Sequence, residues 1–205
     1  WAAYVGGDPT AYRAGQVSLS PVPHMRREPF GMILVPLLTA LTQGWCIGWA
    51  STPYDPQWEA RHPRRAAWMA AAGPAANFLL AIVALLLLRL GLAFGAFHAP
   101  DSISFGYLVA GASGGWDIAG RLLSILLVLN VILGLFNLIP APPLDGATAI
   151  TLFLPEDAAL RFRYALRTGG AGIIGLLLAW WLFGRIVGPV FAGILKLVHP
   201  DVPYG

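Results

Sequence analysis

The sequence predicts an all-α, polytopic membrane protein with about four transmembrane or re-entrant helical segments and an extended proline-rich stretch in the membrane. Of its 205 residues, 57% are hydrophobic and only 11% are charged, whereas soluble domains carry about 25% charged residues. Four long uncharged runs cover 29–54, 66–88, 122–144 and 168–184. Each is near or above the ~20 apolar residues that a spanning helix needs. We expect a single membrane-embedded domain over 1–205.

The second and third runs are plain candidates for crossings, and the other two are less regular. The run at 29–54 contains Pro36 and Gly44 and has arginines beyond both ends. This arrangement favours a helical hairpin or re-entrant element over one straight crossing, and leaves both open. The fourth run is short, but 186–195 continues it after Arg185. A tilted or broken helix is therefore expected there.

Loop charges orient these segments. The net charge is +3, and the arginines lie between apolar runs, which fits the positive-inside rule better than a nucleic-acid groove. The segment 91–120 carries two aspartates and no Lys or Arg, so we expect it to be non-cytoplasmic. The segment 155–167 carries three arginines and is expected to be cytoplasmic. The start of the second run and the end of the third then lie near the same cytoplasmic face.

Polar side chains within apolar runs are costly, which makes them candidates for function. Asn77 lies in the cytoplasmic half of the second run, and Asn137 lies near the end of the third. Asn77 could instead be a helix-packing asparagine, since small neighbours such as Gly73 allow helices to approach closely.

The stretch from Pro140 to Asp145 is the second candidate region. Three prolines in four residues, at 140, 142 and 143, cannot continue a helix, so we expect extended backbone with free polar groups beside a cavity. An aspartate held there needs a cation, which could be an arginine, a proton or a metal. The simpler alternative is a helix stop followed by an ordinary interfacial turn at Asp145-Gly146.

These residues, taken in order, resemble the site-2 protease family of intramembrane zinc metallopeptidases. The most specific matches are the Ala-Gly-Pro-x-x-Asn pattern at 72–77 and the Asn-x-x-Pro-x-x-Pro-Leu-Asp-Gly pattern at 137–146. The supporting matches, which with these extend to about Leu154, are Trp1 to Ala11, Leu19-Ser20-Pro21 with His24, and Gly48-Trp49-Ala50. Ser20 and Ser51 stand where the family commonly has Asn and Lys.

The resemblance implies a fold, a cofactor and a set of roles. Two histidines of a His-Glu-x-x-His helix bind zinc together with an aspartate, which corresponds to Asp145. The glutamate of that helix activates a zinc-bound water for attack on a peptide bond. Asn77 would hold the substrate or the oxyanion, and Asn137 and Pro140, Pro142 and Pro143 would position the unwound substrate. The implied enzyme is a multi-pass metalloendopeptidase of the bacterial plasma membrane that cleaves transmembrane or signal-peptide segments.

The chain departs from the family at the metal-binding helix. Its four histidines are far apart, and none forms the i, i+4 pair that brings two imidazoles to one metal. We expect the missing motif to precede Trp1 in the gene. The alternatives are a degenerate relative that binds transmembrane segments without cutting them, and a small transporter, which the absence of an internal repeat disfavours. Sequence leaves the oligomeric state open.

Overall fold

The computed structural model describes residues 1–43, 48, 50–167 and 171–202, and these are mostly helical, as predicted. Three helices are long and apolar enough to cross a membrane: Pro63–Ala93, Gly114–Asn137 and Leu177–Val198. The chain separates into two compact units, Trp1–Met69 and Ala70–Gly205.

The first unit consists of short helices whose starts are encoded locally. They are α1 (Ala2–Gly6), α2 (Thr10–Arg13), α3 (Pro21–Arg27), a π-helical turn (Phe30–Leu34), α4 (Val35–Gln43) and α5 (Pro56–Arg61), and the long helix α6 (Pro63–Ala93) begins here. Helices α3 and α5 both start at a proline preceded by a capping side chain, Ser20 or Asp55, that accepts a backbone N–H. Proline at the first helical position and Ser or Asp before it is a standard helix start.

The first apolar run returns to its starting point. The helical part from Phe30 to Gln43 is only about 20 Å long at ~1.5 Å per residue, short of the ~30 Å bilayer core. Arg27 donates to the carbonyl of Ser51 at 3.1 Å, and the Ser51 hydroxyl donates to Glu28. The two ends of the segment therefore meet, as a hairpin requires and a straight crossing does not. Residues 44–47 and 49 lie outside the described part.

The first unit also encloses a carboxylate, that of Asp8, which is 1% exposed. It accepts hydrogen bonds from the backbone and hydroxyl of Thr10 and from the backbone N–H of Asp55 at 2.9 Å. Burial alone would raise the pKa of Asp8, but these hydrogen bonds outweigh it and leave the pKa below its usual value. The ionised carboxylate of Asp8 therefore connects the first residues of the chain to the start of α5 by hydrogen bonds.

The second unit is built on α6, α7 (Gly114–Asn137) and α10 (Ala171–Val198). Two short antiparallel strands, β1 (Phe97–His98) and β2 (Ala110–Gly111), lie between α6 and α7. The apolar core joins the C-terminal half of α6, this loop, the middle of α7 and the end of α10; it includes Ala84, Leu88, Phe97, Leu108, Val109, Leu127, Val128, Ile194 and Val198. Helix α10 is continuous through Arg185 and Pro189, so the broken-helix alternative is wrong.

The proline-rich stretch turns instead of extending. After α7 ends, the N–H of Ala141 bonds to the carbonyl of Ile139 at 2.7 Å, and Leu144 bonds to Ala141 at 3.0 Å; the Pro142–Pro143 bond is cis. The expected strand-like form is corrected, because a fixed proline φ is compatible with turns as well as with strands. Short α8 (Asp145–Ala149), a 3₁₀ turn (Ile150–Phe153) and α9 (Glu156–Arg167) lead to α10.

Replacing Asp8 with Asn should destabilise the first unit by about 1–3 kcal/mol, because an amide cannot accept every bond that the carboxylate accepts. The pKa of Asp8 is lowered by folding, so its stabilisation is complete at neutral pH and is lost as the pH falls below about 4. Thermal unfolding in detergent between pH 3 and 7 measures both effects. The exposed Asp101→Asn serves as the control, and equal melting temperatures for the two variants would contradict the assignment.

Candidate functional site

Asp145 faces the glycine of the Ala-Gly-Pro pattern. It is the first residue of α8, and its side chain is half-buried. A methyl group at Gly73 of α6 would lie 3.0 Å from Oδ2 of Asp145, so a side chain at this position would push the carboxylate back by a few tenths of an ångström. Asp145 lies outside the three candidate spans, and burial raises its pKa. Among the described residues, none forms a hydrogen bond or ion pair with this carboxylate.

Asn77 lies one helical turn beyond Gly73 on α6. Residues four apart share one face of a helix at a spacing of roughly 6 Å, so Asn77 is on the face that Asp145 approaches. The side chain is half-buried, and no residue in the described part of the chain bonds to its amide. The structure thus brings a carboxylate without a hydrogen-bond partner in the described residues to the helix face that carries the Asn77 amide. Loop charges in the sequence predict that both groups lie toward the cytoplasmic face of the membrane.

Asn137 and the three prolines lie close to Asp145 along the chain. Asn137 is the last residue of α7, and its amide donates to the carbonyl of Leu133 at 3.0 Å, within its own helix. No described hydrogen bond joins it to Asp145. Pro140 and Pro143 are exposed, whereas Pro142 is half-buried. Exposed turn residues beside Asp145 are available for contact with another chain.

Gly146, the residue after Asp145, packs against the end of α7. A methyl group at Gly146 would lie 2.3 Å from the carbonyl oxygen of Leu138 and 2.4 Å from that of Ile139. These are backbone atoms at the end of α7, which cannot move aside as a flexible side chain can. The Asp-Gly pair therefore folds directly against the helix end, and its glycine is required by close packing.

The sequence analysis did not identify Gly175. A methyl group there would lie 2.5 Å from the carbonyl oxygen of Pro142, so α10 passes directly over the proline turn. Helix α10 thus packs against the segment that carries Asp145. A glycine in an apolar helix is a known sign of close helix approach, but the sequence does not show which segment approaches it.

Comparison with known proteins gives the family. The profile of Peptidase family M50 matches residues 22–177, which include Gly73, Asn77, the proline turn, Asp145 and Gly175. The chain belongs to this family, the site-2 protease family. It is 35% identical over 166 residues to a Bacillus subtilis (strain 168) protein named "Putative zinc metalloprotease YwhC"; the match covers 80% of this chain and 66% of that protein. No solved structure matches significantly.

The family implies zinc, and the described residues fit it in part. The Asp145 carboxylate is a suitable ligand, since it is half-buried beside the Gly73 cradle without a protein partner. Structural and catalytic zinc sites need three or four protein ligands. Within the described ranges, no group of three His, Cys, Asp or Glu side chains comes together. His24 and His62 each bond to a nearby backbone carbonyl, Ser18 and Trp58 respectively.

Gly146→Ala should destabilise the protein by about 1–3 kcal/mol, because the added methyl group overpacks against two backbone carbonyls. Thermal unfolding of the purified protein in detergent checks this. The matched control is Gly188→Ala in α10, where the methyl group would meet nothing within 4 Å. An unchanged melting temperature for Gly146→Ala would mean that the turn is not packed as described.

Proposed function

We propose that this chain is part of a zinc-dependent intramembrane protease that cleaves transmembrane or signal-peptide segments in a bacterial plasma membrane. The observation that carries the proposal is the approach of Asp145 to Gly73 and to the Asn77 face of α6. Membership of Peptidase family M50 and the name of the Bacillus subtilis relative support zinc proteolysis. That relative also supports a bacterial setting.

The position of the pair along α6 supports cleavage within the bilayer. Arg89 lies near the far end of α6 and donates to the carbonyl of Val198 at the end of α10. Gly73 lies about 24 Å from Arg89 along the helix at ~1.5 Å per residue. This separation is less than the ~30 Å of the hydrocarbon core. With Arg89 at the non-cytoplasmic surface of the hydrocarbon core, the contact between Asp145 and α6 lies several ångströms inside the cytoplasmic surface of that core.

Asp145 would bind the zinc as one ligand of the set. A bound zinc supplies Lewis acidity and a water of lowered pKa. The chain's own contribution is to hold the carboxylate in a fixed direction, through the Gly146 turn and the Gly73 contact. Because the carboxylate has no partner in the described part of the chain, it is available to a metal without first breaking a hydrogen bond.

The remaining groups would handle the substrate. The Asn77 amide can donate to a peptide carbonyl or to the oxyanion that develops on it. A helical peptide bond is shielded and already hydrogen-bonded, so the substrate must unwind before cleavage. The exposed Pro140 and Pro143, together with Pro142 and the nearby Asn137, form the surface along which an unwound segment would lie.

Asp145→Ala in the full-length protein should abolish bound zinc and cleavage while leaving membrane insertion intact, because the change removes a metal ligand and leaves the sequences of the three candidate spans unaltered. Metal analysis of the purified protein and cleavage of a transmembrane reporter measure the two losses. Asp101→Ala, an exposed aspartate, is the control. Full zinc content in Asp145→Ala would remove this residue from the site and favour the non-catalytic binding alternative.

Asn77→Ala should slow cleavage by roughly 10²–10³-fold, the usual effect of losing one oxyanion donor, with zinc content unchanged. The kcat should fall more than the KM rises, because the oxyanion forms only during reaction. Reporter kinetics combined with metal analysis distinguish this role from a structural one. Loss of zinc in Asn77→Ala would show that the residue supports the fold or the metal instead.

A further inference from the structure

Helix α9 lies beside the membrane surface because the chain enters and leaves it from membrane helices. The connector 138–170 begins at the end of α7, passes Asp145 where it approaches Gly73 of α6, and ends at α10. The step from Arg167 to Ala171 covers at most about 14 Å at ~3.5 Å per residue. Helix α10 has 28 residues and is about 42 Å long, which matches the ~40–45 Å of a bilayer with its headgroups. The end of α9 therefore lies at the level of the headgroups.

Helix α9 has apolar side chains on two sides. At about 100° per residue, Ala159, Phe162 and Leu166 share one side, and all three are buried or half-buried. Leu160 and Tyr164 share the other side and are 58% and 74% exposed. A helix on the surface of a water-soluble domain needs only the first of these sides, which faces the core. The second apolar side indicates a contact with something other than water.

The charges of α9 are separated along the helix. Both acidic residues are in its first turn, whereas its basic residues are in the last two turns, which lead to α10: Arg161, Arg163 and Arg167. Arg161 is exposed and lies on the same side as Leu160 and Tyr164. Leucine, tyrosine and arginine are typical of helices that lie in the bilayer interface, because each can place an apolar part among acyl chains and the last two keep a polar tip among headgroups.

We propose that the outer side of α9, which consists of Leu160, Arg161 and Tyr164, docks onto anionic phospholipid headgroups of the adjacent leaflet. Lipid surrounds α10 at this level, and loop charges predict that this leaflet is the cytoplasmic one, whose negative surface attracts basic segments. The Arg161 guanidinium can donate two parallel hydrogen bonds to a lipid phosphate. Leu160 and Tyr164 bury their apolar surface below it.

Docking would hold α9 in the plane of the membrane next to the start of α10. Helix α10 packs over the proline turn at Gly175, so the docked helix would steady the segment that follows Asp145. The proposal concerns membrane association only and does not depend on catalysis by Asp145.

The test uses the full-length protein with its native cysteines replaced and a fluorescent dye attached at Ala165→Cys, an exposed α9 position beside the outer side. The protein is placed in lipid nanodiscs, which leave both faces of the bilayer accessible, made of phosphatidylcholine with or without phosphatidylglycerol. Nitroxide-labelled headgroups quench a docked dye, and acrylamide in the buffer quenches an undocked one. With phosphatidylglycerol present, the nitroxide lipid should quench the dye and acrylamide should not.

Variants assign the docking to the outer side. Arg161→Gln should lower the ratio of docked to undocked helix about fivefold, the effect of one arginine at an anionic surface, and Arg161→Lys should retain it. Leu160→Ser combined with Tyr164→Ser should lower the ratio in both lipid compositions. The matched control is Arg13→Gln, which removes an exposed arginine from the first unit and should leave the ratio unchanged.

Three results for the unmodified outer side would overturn the proposal. Quenching by acrylamide and not by the nitroxide lipid would mean that this side faces water. Protection from both quenchers would mean that another part of the protein covers it. Equal docking with and without phosphatidylglycerol would mean that anionic headgroups are not the partner.

Discussion

The contact between the Asp145 carboxylate and Gly73 is the constraint on which the candidate site depends. It brings together two positions that are separated in sequence by the rest of α6, a structured loop and α7, and it is close because α6 has no side chain at that point. Gly146 and Gly175 act in the same way, since each lets backbone approach backbone where a methyl group would collide. Close approaches at three glycines therefore pack the segment that carries the carboxylate, whose oxygens have no hydrogen-bond partner among the described residues.

The packed core of the second unit lies at the other end of the helices from this site. Leu88, Leu108 and Val198 are fully buried there. Arg89 donates to the carbonyl of Val198, and the buried His199 ring bonds to the carbonyl of Leu108 at 2.8 Å. Buried apolar contacts and satisfied polar groups make this end the stable part of the unit. Around the site, Ile139, Gly146 and Ala147 are buried, whereas Pro140 and Pro143 are exposed. A segment bound at the exposed prolines would therefore lie at the opposite end of the unit from this core.

The sequence predicted the structural features that depend on composition. It did not predict those that depend on packing between segments distant in the chain. Helices α6 and α7 were predictable because each contains about 20 apolar residues. The placement of Asn77 and Asp145 toward the cytoplasmic face of the membrane, which rests on loop charges, stays a prediction. The proline stretch was predicted as extended and is turned, since proline fixes φ and leaves ψ to the surroundings. The role of Gly175 was not predictable, because nothing near it in sequence identifies Pro142 as its neighbour. The hairpin form of the first apolar run was favoured from flanking arginines, and the Arg27–Ser51 contact has the geometry it requires.

Asp145 and Arg185 are both charged groups without a partner in the described part of the chain, and chemistry gives them different consequences. A carboxyl group can take up a proton when its surroundings disfavour the anion, and the raised pKa of Asp145 has this origin. A guanidinium cannot lose its proton under the same conditions, so Arg185 remains a cation whatever surrounds it. Asp145 can therefore exchange a proton for a metal ion, whereas the charge of Arg185 is permanent. On these grounds Asp145 is the residue of the two that is suited to binding a metal ligand reversibly.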